Sequence, residues 1–221
     1  MFHVKQELKR FTEVCESLGI QVSQDKIQKF ETYQEELSRW NKKINLISRT
    51  SDSPHHIFRH ILDSLLIFKA VELPPGARIL DFGSGAGFPG IPIQVLRDDI
   101  LVTLLESKKK KSVFLDEMLK ILKLKNAQVV CGRAEDVAES SEFRRKYDVV
   151  TAKAAGKLAT VASQTYSFLK KGGFLVAYKG TYPKDEVEKL QSLKQFQMQH
   201  EASFQIPEYN LARRLLVIKK K

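Results

Sequence analysis

The chain has 221 residues, of which 43% are hydrophobic, and it carries a net charge of +11 at neutral pH. This length suits one α/β domain with a modest extension, and the composition is sufficient for a core of ordinary size. No stretch approaches the ~20 apolar residues that a membrane span requires, and the N-terminus lacks the apolar run of a secretory signal. We therefore expect neither a membrane protein nor a secreted one, and we predict a cytoplasmic location.

The two cysteines give no sign of a metal site. Cys15 and Cys131 lie far apart and lack the spacing of paired ligands. Neither a disulfide framework nor bound zinc is expected, and no other metal is predicted. Both thiols are expected to be structural, with Cys131 buried at the end of a strand.

The positive charge is concentrated in the C-terminal third. Residues 151–221 contain thirteen Lys and Arg against five Asp and Glu, a net charge of +8. Such a surface suits a polyanionic partner such as nucleic acid, although a merely solvated surface could have the same composition.

The N-terminal third is predicted to be helical. Phe30, Tyr33, Leu37 and Trp40 recur at spacings of three, four and three, which places them on one face of a helix. A second amphipathic helix is predicted over His56–Val71 and ends before a Pro-Pro-Gly turn.

Strands and helices alternate in the rest of the chain. Strands are predicted over Arg78–Phe82, Leu101–Glu106, Ala127–Cys131, Tyr147–Ala152, Phe174–Lys179, Gln197–Gln205 and Leu211–Lys219. The intervening helices are predicted over Gly87–Leu96, Ser112–Leu122, a short segment after Arg133, Leu158–Leu169 and Pro183–Leu193. This order predicts a mostly parallel, doubly wound, seven-stranded sheet over residues 76–221, with a helical extension over residues 1–75 packed on it.

The last two predicted strands have no helix between them. Because a short connection joins antiparallel neighbours, one strand at this end of the sheet must run in reverse. A single reversed strand is the usual ending of a Rossmann-like class I methyltransferase sheet.

A glycine-rich turn joins the first strand to its helix. Asp81 ends the strand, and Gly83, Gly85 and Gly87 follow at alternate positions. Glycines here let the backbone turn sharply and approach a ligand closely. Gly85, Gly87 and Gly90 also match GxGxxG, so a dinucleotide remains possible from this motif alone.

Acidic residues after the next strands favour S-adenosylmethionine over a dinucleotide. Glu106 ends the second strand, where a carboxylate can accept hydrogen bonds from both ribose hydroxyls. Ala134 and Glu135 follow the third strand, a position where small and acidic residues often contact adenine. The cofactor carries a sulfonium and an ammonium group, which suit acidic surroundings better than a pyrophosphate would.

The motifs resemble those of the GidB/RsmG family of bacterial small-subunit rRNA guanine-N7 methyltransferases. The resemblance covers nearly the whole chain in order and rests on the segments Asp81–Pro92 (DFGSGAGFPGIP), Trp40–Leu46 (WNKKINL), Arg59–Leu65 (RHILDSL), Tyr147–Ala155 and Ala177–Gly180. It implies a class I methyltransferase fold, S-adenosylmethionine as the cofactor and 16S rRNA or the small ribosomal subunit as the substrate. Guanine and N7 follow from this resemblance alone.

The glycine turn and the resemblance together predict the cofactor-binding residues. These are Asp81, Gly83, Gly85, Gly87, Phe88, Glu106, Ser107, Lys108, Ala134, Glu135 and Lys153. Lys153 stands where the family usually has arginine, so the charge is kept but the planar fork is lost. A phosphate, a carboxylate or the base oxygen O6 is the expected partner of this lysine.

The expected chemistry needs no general base. Guanine N7 already has a free lone pair, so its methylation removes no proton, and alignment of the reacting atoms with exclusion of water should dominate catalysis. The candidate RNA-binding residues are Lys42, Lys43, Arg59, His60, Lys153, Lys157, Lys179, Arg213 and Arg214. His60 could equally pair with Asp63 on the same helix face.

Three alternatives stay open from the residues themselves. The first is a class I methyltransferase that acts on a small molecule or a protein. The second is a noncatalytic RNA-binding module that keeps a cofactor fold, and the third is an NAD-dependent oxidoreductase. A monomer is expected in each case.

Overall fold

A computed structural model describes residues 2–221 and begins with three helices. They are α1 (Phe2–Ser17), α2 (Gln24–Asn41) and α3 (Pro54–Leu65). Ser53 caps α3 by accepting the His56 N–H, and Pro54 occupies the first turn, where no backbone donor is needed. The rings of Phe11, Phe30 and Phe58 pack together and join the three helices.

The described residues form a seven-stranded sheet. Its strands are β1 (Arg78–Phe82), β2 (Leu101–Glu106), β3 (Ala127–Cys131), β4 (Tyr147–Lys153), β5 (Leu169–Lys179), β6 (Phe196–Ile206) and β7 (Leu211–Lys220). The spatial order is β3-β2-β1-β4-β5-β7-β6, with β7 antiparallel to both of its neighbours and the other pairs parallel. The predicted sheet with one reversed strand is confirmed.

Five further helices connect the strands. They are α4 (Gly90–Leu96), α5 (Lys109–Ile121), α6 (Ala134–Val137), α7 (Leu158–Thr165) and α8 (Lys184–Gln191). Helices α1 to α5 cover one face of the sheet, where Ile79 and Val149 point, and α6 to α8 pack on the opposite face, with Leu80 and Val150. Because side chains alternate along a strand, consecutive residues are buried in two different cores, one on each face of the sheet.

Several element boundaries differ from the sequence prediction; α7, for example, ends at Thr165, and Leu169 already begins β5. Two of the differences involve glycines. Helix α4 begins at Gly90 rather than Gly87, because residues 84–87 form a turn in which the Gly87 N–H donates to the Ser84 carbonyl. Gly172 and Gly173 lie within β5 instead of preceding it. A Cβ on Gly173 would lie 3.0 Å from the Asp148 carbonyl oxygen, so glycine permits a close strand approach beside a register shift.

The two cysteines differ in their exposure to solvent. Cys15 is buried as expected, but Cys131 is exposed, because its strand is at the edge of the sheet. No described helix combines the length and the apolar character that crossing a bilayer would require. Among residues 2–221 no group of three or more His, Cys, Asp or Glu side chains could hold a metal ion.

Candidate active site

The glycine turn is fixed to the neighbouring strand β2. The N–H groups of Gly83 and Ser84 both donate to the Leu105 carbonyl, at 2.9 and 3.0 Å. Gly83 has a φ of +71° and Gly85 a φ of +59°, in the left-handed region that glycine adopts without a Cβ clash. The turn therefore lies at the carboxyl ends of the parallel strands, where ligands bind in open α/β sheets.

Asp81 holds the turn from beneath. It is buried, and its Oδ2 accepts the Gly90 N–H at 3.1 Å while its Oδ1 accepts the Thr151 hydroxyl at 3.0 Å. Burial raises the pKa of Asp81 to about 6, although these hydrogen bonds oppose the shift. The carboxyl group thus connects β1, β4 and the start of α4.

At two glycines of the motif, close packing leaves no room for a Cβ atom. A Cβ on Gly90 would lie 2.3 Å from the Leu104 side chain, and one on Gly87 would lie 2.9 Å from the Tyr33 hydroxyl. Tyr33 donates to the Ala86 carbonyl at 2.6 Å, so α2 packs directly on the turn. Gly83, in contrast, has an open side, because a Cβ there would meet only Ala155, at 4.0 Å.

Glu106 ties the turn to the beginning of α5. It is buried at the end of β2, and its two carboxylate oxygens accept the N–H groups of Gly85 and Lys108, at 2.9 and 2.8 Å. The predicted ribose contact would use the remaining lone pairs of this carboxylate.

A cleft of about 350 Å³ opens beside the glycine turn. It contains four of the predicted cofactor residues, which are Gly83, Ser107, Ala134 and Glu135. It also contains residues that sequence reasoning missed, namely Phe82, Leu105, Gly132, Arg133, Ala155 and Gln164. Gln164, near the end of α7, donates to Glu135, in the first turn of α6, at 2.8 Å.

A second cleft, of about 340 Å³, adjoins the first at Ala155. Its walls include Lys153, Tyr178, Arg213 and His60, which come from β4, β5, β7 and α3. The backbone that separates the two clefts is strained, because Ala154 has a φ of +55°. Such strain in a residue other than glycine is concentrated at functional sites.

A buried ion network lies at the wall of the second cleft. Asp63 accepts from Lys153 at 2.7 Å and from two nitrogens of Arg213, at 2.6 and 2.9 Å. Burial raises the pKa of Asp63, but the two cations outweigh this effect and hold it below its ordinary value. Burial lowers the pKa of the Lys153 ammonium, and Asp63 opposes that shift. The predicted RNA-binding residue Arg213 is thus also a structural partner of Asp63.

Phe88 is buried between the N-terminal helices and the ion network. Its ring centroid lies 5.5 Å from that of Tyr33 and 5.3 Å from that of His60, and the Lys153 ammonium is 5.2 Å from it. Lys153 thus lines the second cleft, Phe88 packs behind its wall, and neither is among the residues of the first cleft. Their predicted cofactor contacts would have to reach across the boundary at Ala155.

The remaining RNA-binding candidates fall into two groups. Lys42, Lys43 and Lys157 are exposed. The others already have protein partners, since Arg59 donates to the Asn210 carbonyl, Lys179 pairs with Glu186 and Arg214 pairs with Glu201.

Comparison with known proteins identifies relatives over most of the chain. The family model described as GidB, rRNA small subunit methyltransferase G, matches residues 26–217. Ribosomal RNA small subunit methyltransferase G from Clostridium botulinum is 40% identical over 173 residues, which are 78% of this chain and 72% of that protein. The protein of the same name from Lachnoclostridium phytofermentans is 34% identical over 213 residues, or 95% and 88%.

Solved structures share the fold at low sequence identity. A predicted O-methyltransferase from Agrobacterium tumefaciens aligns with a TM-score of 0.58 at 18% identity, covering 72% of this chain and 80% of that one. TYW2 from M. jannaschii, solved in complex with AdoMet, aligns with a TM-score of 0.52 at 18% identity, covering 72% and 74%. The Rossmann-like methyltransferase fold predicted from the sequence is confirmed.

Proposed function

Because the chain belongs to the GidB family of rRNA small subunit methyltransferase G proteins, we propose that it transfers a methyl group from S-adenosylmethionine to N7 of a guanosine in small-subunit ribosomal RNA. The observation that carries this proposal is the pair of adjoining clefts, one for the cofactor and one for the base, which meet at Ala155. Family membership disfavours the NAD-dependent and noncatalytic alternatives.

The first cleft fits S-adenosylmethionine. Its volume of about 350 Å³ and its apolar walls at Phe82 and Leu105 suit an adenosyl group. Gly83 leaves the wall open on the cleft side. Glu135 supplies a carboxylate there, and Glu106 is directly behind the turn. These two carboxylates suit the cationic groups of the ligand, and the cofactor supplies an electrophilic methyl group on its sulfonium.

The side chains and backbone of the protein align the base with the methyl donor and control the polarity around them. N7 attacks through its own lone pair and releases no proton, so no side chain has to act as a base. The strained Ala154 precedes Ala155, which lines both clefts, and this backbone can hold two reacting groups in line and exclude water. Asp63 partly neutralises Lys153 and Arg213, which limits the positive potential around a base that itself becomes cationic.

The RNA backbone is proposed to contact lysines near the glycine turn. Trp40 packs on Phe114 with ring centroids 5.7 Å apart, which brings the end of α2 to the first turns of α5. Lys42 and Lys43 follow Trp40, and Lys109 and Lys110 precede Phe114 by about one helical turn. We call the exposed residues Lys42, Lys43, Lys109 and Lys110 the lysine ridge.

The proposal also covers the location, the partner and the oligomeric state of the protein. An enzyme of ribosomal RNA is expected in the cytoplasm, and its partner is rRNA, either free or within a small subunit. A single chain contributes both clefts, so we propose that the monomer is active.

The test is transfer of labelled methyl groups from S-adenosylmethionine to unmodified small subunits or 16S rRNA, followed by identification of the labelled nucleoside. The expected product is N7-methylguanosine at one position. As a control, Gly83→Glu should still fold but should lose cofactor affinity, since its side chain would project beside Ala155 into the first cleft. Cofactor binding without label in RNA would contradict the proposal and favour a small-molecule or protein substrate.

A further inference from the structure

The second cleft contains a histidine whose ring nitrogens have no hydrogen-bond partner among the described residues. His60 lies on α3 and forms part of the cleft wall. Its backbone carbonyl accepts from Ser64 and Lys153, but within residues 2–221 neither ring nitrogen forms a hydrogen bond. Asp63, the partner that the helical spacing offers, is already held by Lys153 and Arg213.

The ring of His60 has a defined position. Its centroid lies 5.3 Å from that of Phe88, with 35° between the ring planes. Phe88 packs in turn on Tyr33, which donates to the glycine turn at Ala86. The imidazole is therefore held by packing, while its polar atoms are left for a ligand.

The imidazole is neutral at physiological pH. Burial lowers the pKa of His60 to about 4, and the charge of Lys153 adds to this effect, with smaller contributions from Arg59 and Arg213. Asp63 opposes the shift. A neutral imidazole presents one N–H donor and one acceptor lone pair.

Guanine presents two adjacent acceptors, N7 and O6, on one edge. If N7 is turned toward the methyl donor, O6 on the same edge needs a hydrogen-bond donor once it leaves water. Adenine has an amino group at the equivalent position and would offer a donor to the same side chain. A neutral donor also places no additional cation beside a base that gains positive charge.

Resting on the proposed function, we propose that His60 donates its ring N–H to O6 of the target guanine in the second cleft and thereby selects guanine. His60 is a base-contacting residue in this assignment. Lys153 and Arg213 have the separate role of balancing Asp63.

The test compares three variants for rRNA methylation and for cofactor affinity. His60→Phe keeps a ring against Phe88 but removes the N–H, and it should lower kcat/KM for rRNA by about 10- to 100-fold, the cost of an unsatisfied buried acceptor. Its dissociation constant for S-adenosylmethionine should stay within about twofold of wild type. His60→Asn and His60→Gln place an amide N–H near Nδ1 or Nε2, and at least one of them should recover part of the loss.

His56→Phe is the matched control, because His56 lies on the same helix, outside the second cleft, and bonds Ser53 instead. It should methylate rRNA like wild type. If His60→Phe methylates rRNA as fast as wild type, the inference is overturned, and Lys153 becomes the candidate donor to O6. A parallel loss of cofactor affinity, or failure of both amide variants to recover activity, would also overturn it. If wild type itself labels no guanosine, the proposed function fails instead.

Discussion

Asp81 shows how a single residue links the site to stability. Its carboxyl group is fully buried and accepts from Gly90 and Thr151. No cation bonds directly to it among the described residues, in contrast to Asp63 with its two cations. The glycine turn therefore depends on a carboxyl group whose ionised form is costly.

The cost of ionising Asp81 in the folded protein should appear as a dependence of stability on pH. The folded-state pKa of about 6 lies above the ordinary value of 3.8. Asp81 therefore contributes stability that is fully present below pH 3.8 and is lost as the pH rises through 6. The difference between these pKa values corresponds to about 3 kcal/mol.

Chemical unfolding of wild type and Asp81→Asn from pH 4 to pH 7.5, without cofactor, measures this contribution. The free energy of unfolding of wild type, relative to the variant, should fall by about 2.4 kcal/mol across this range, since part of the change occurs below pH 4, and should level off above pH 7. Titrations shared by both proteins, including that of Asp63, cancel in the difference. A difference that does not change with pH would show that Asp81 is not buried as described.

At the scale of an element, α5 begins with lysines, although acidic residues are usually preferred in the first turn of a helix. Lys109, Lys110 and Lys111 form its first turn, and Lys108 at the N-cap makes no side-chain capping bond. Cations at a helix N-terminus oppose the helix dipole. Such an unfavourable charge arrangement beside a candidate binding site indicates that function requires these lysines at some cost in stability.

Charge reversal at Lys109 and Lys110 should separate the two effects. Replacing both by Glu should raise the free energy of unfolding by about 0.6–2 kcal/mol through the helix dipole. The same change should weaken rRNA binding and reduce the slope of log K against log salt by about 1 to 2. Thermal or chemical unfolding and a salt titration of binding give the two values.

Lys120→Glu is the matched control at the other end of α5. Lys120 is exposed and pairs with Glu117. The substitution places a negative charge at the helix C-terminus, so it should slightly destabilise the fold and leave the salt slope nearly unchanged. Equal slopes for all three proteins would remove the lysine ridge from the RNA-binding surface.

At the scale of the whole molecule, the N-terminal helices and the sheet share one core. Phe11, Phe30 and Phe58 belong to the same buried cluster as Ile79 and Val217 of the sheet. The predicted division at residue 75 therefore crosses a continuous core. We propose that the two parts unfold together.

The single tryptophan makes this testable. Trp40 lies in α2 and packs on Phe114 of α5, so its fluorescence reports the contact between the two parts. Far-ultraviolet circular dichroism reports the whole fold, and the two unfolding transitions in urea should coincide. An earlier fluorescence transition, with most of the dichroism signal retained, would make the helical extension a separate unit.

The class of fold and the position of the glycine turn could be predicted from local features of the sequence. Periodicity of apolar residues, glycine at points of positive φ and the absence of a helix between the last strands are local signals. They predicted the strand sequence, one reversed strand at the end of the sheet and the cleft residues Gly83, Ala134 and Glu135. The predicted start of α4 was less accurate, because residues 84–87 form a hydrogen-bonded turn before the helix begins at Gly90.

The partners of the polar side chains could not be predicted, because these residues come together only in the folded chain. The spacing on α3 left Asp63 free to pair with His60, but Lys153 and Arg213 reach it from β4 and β7, and Arg213 is 150 residues away in the chain. Burial then makes these cations the necessary partners, because an ionised carboxylate without them would be too costly. The same pairing leaves the ring of His60 free at the second cleft, which no local pattern in the sequence could establish.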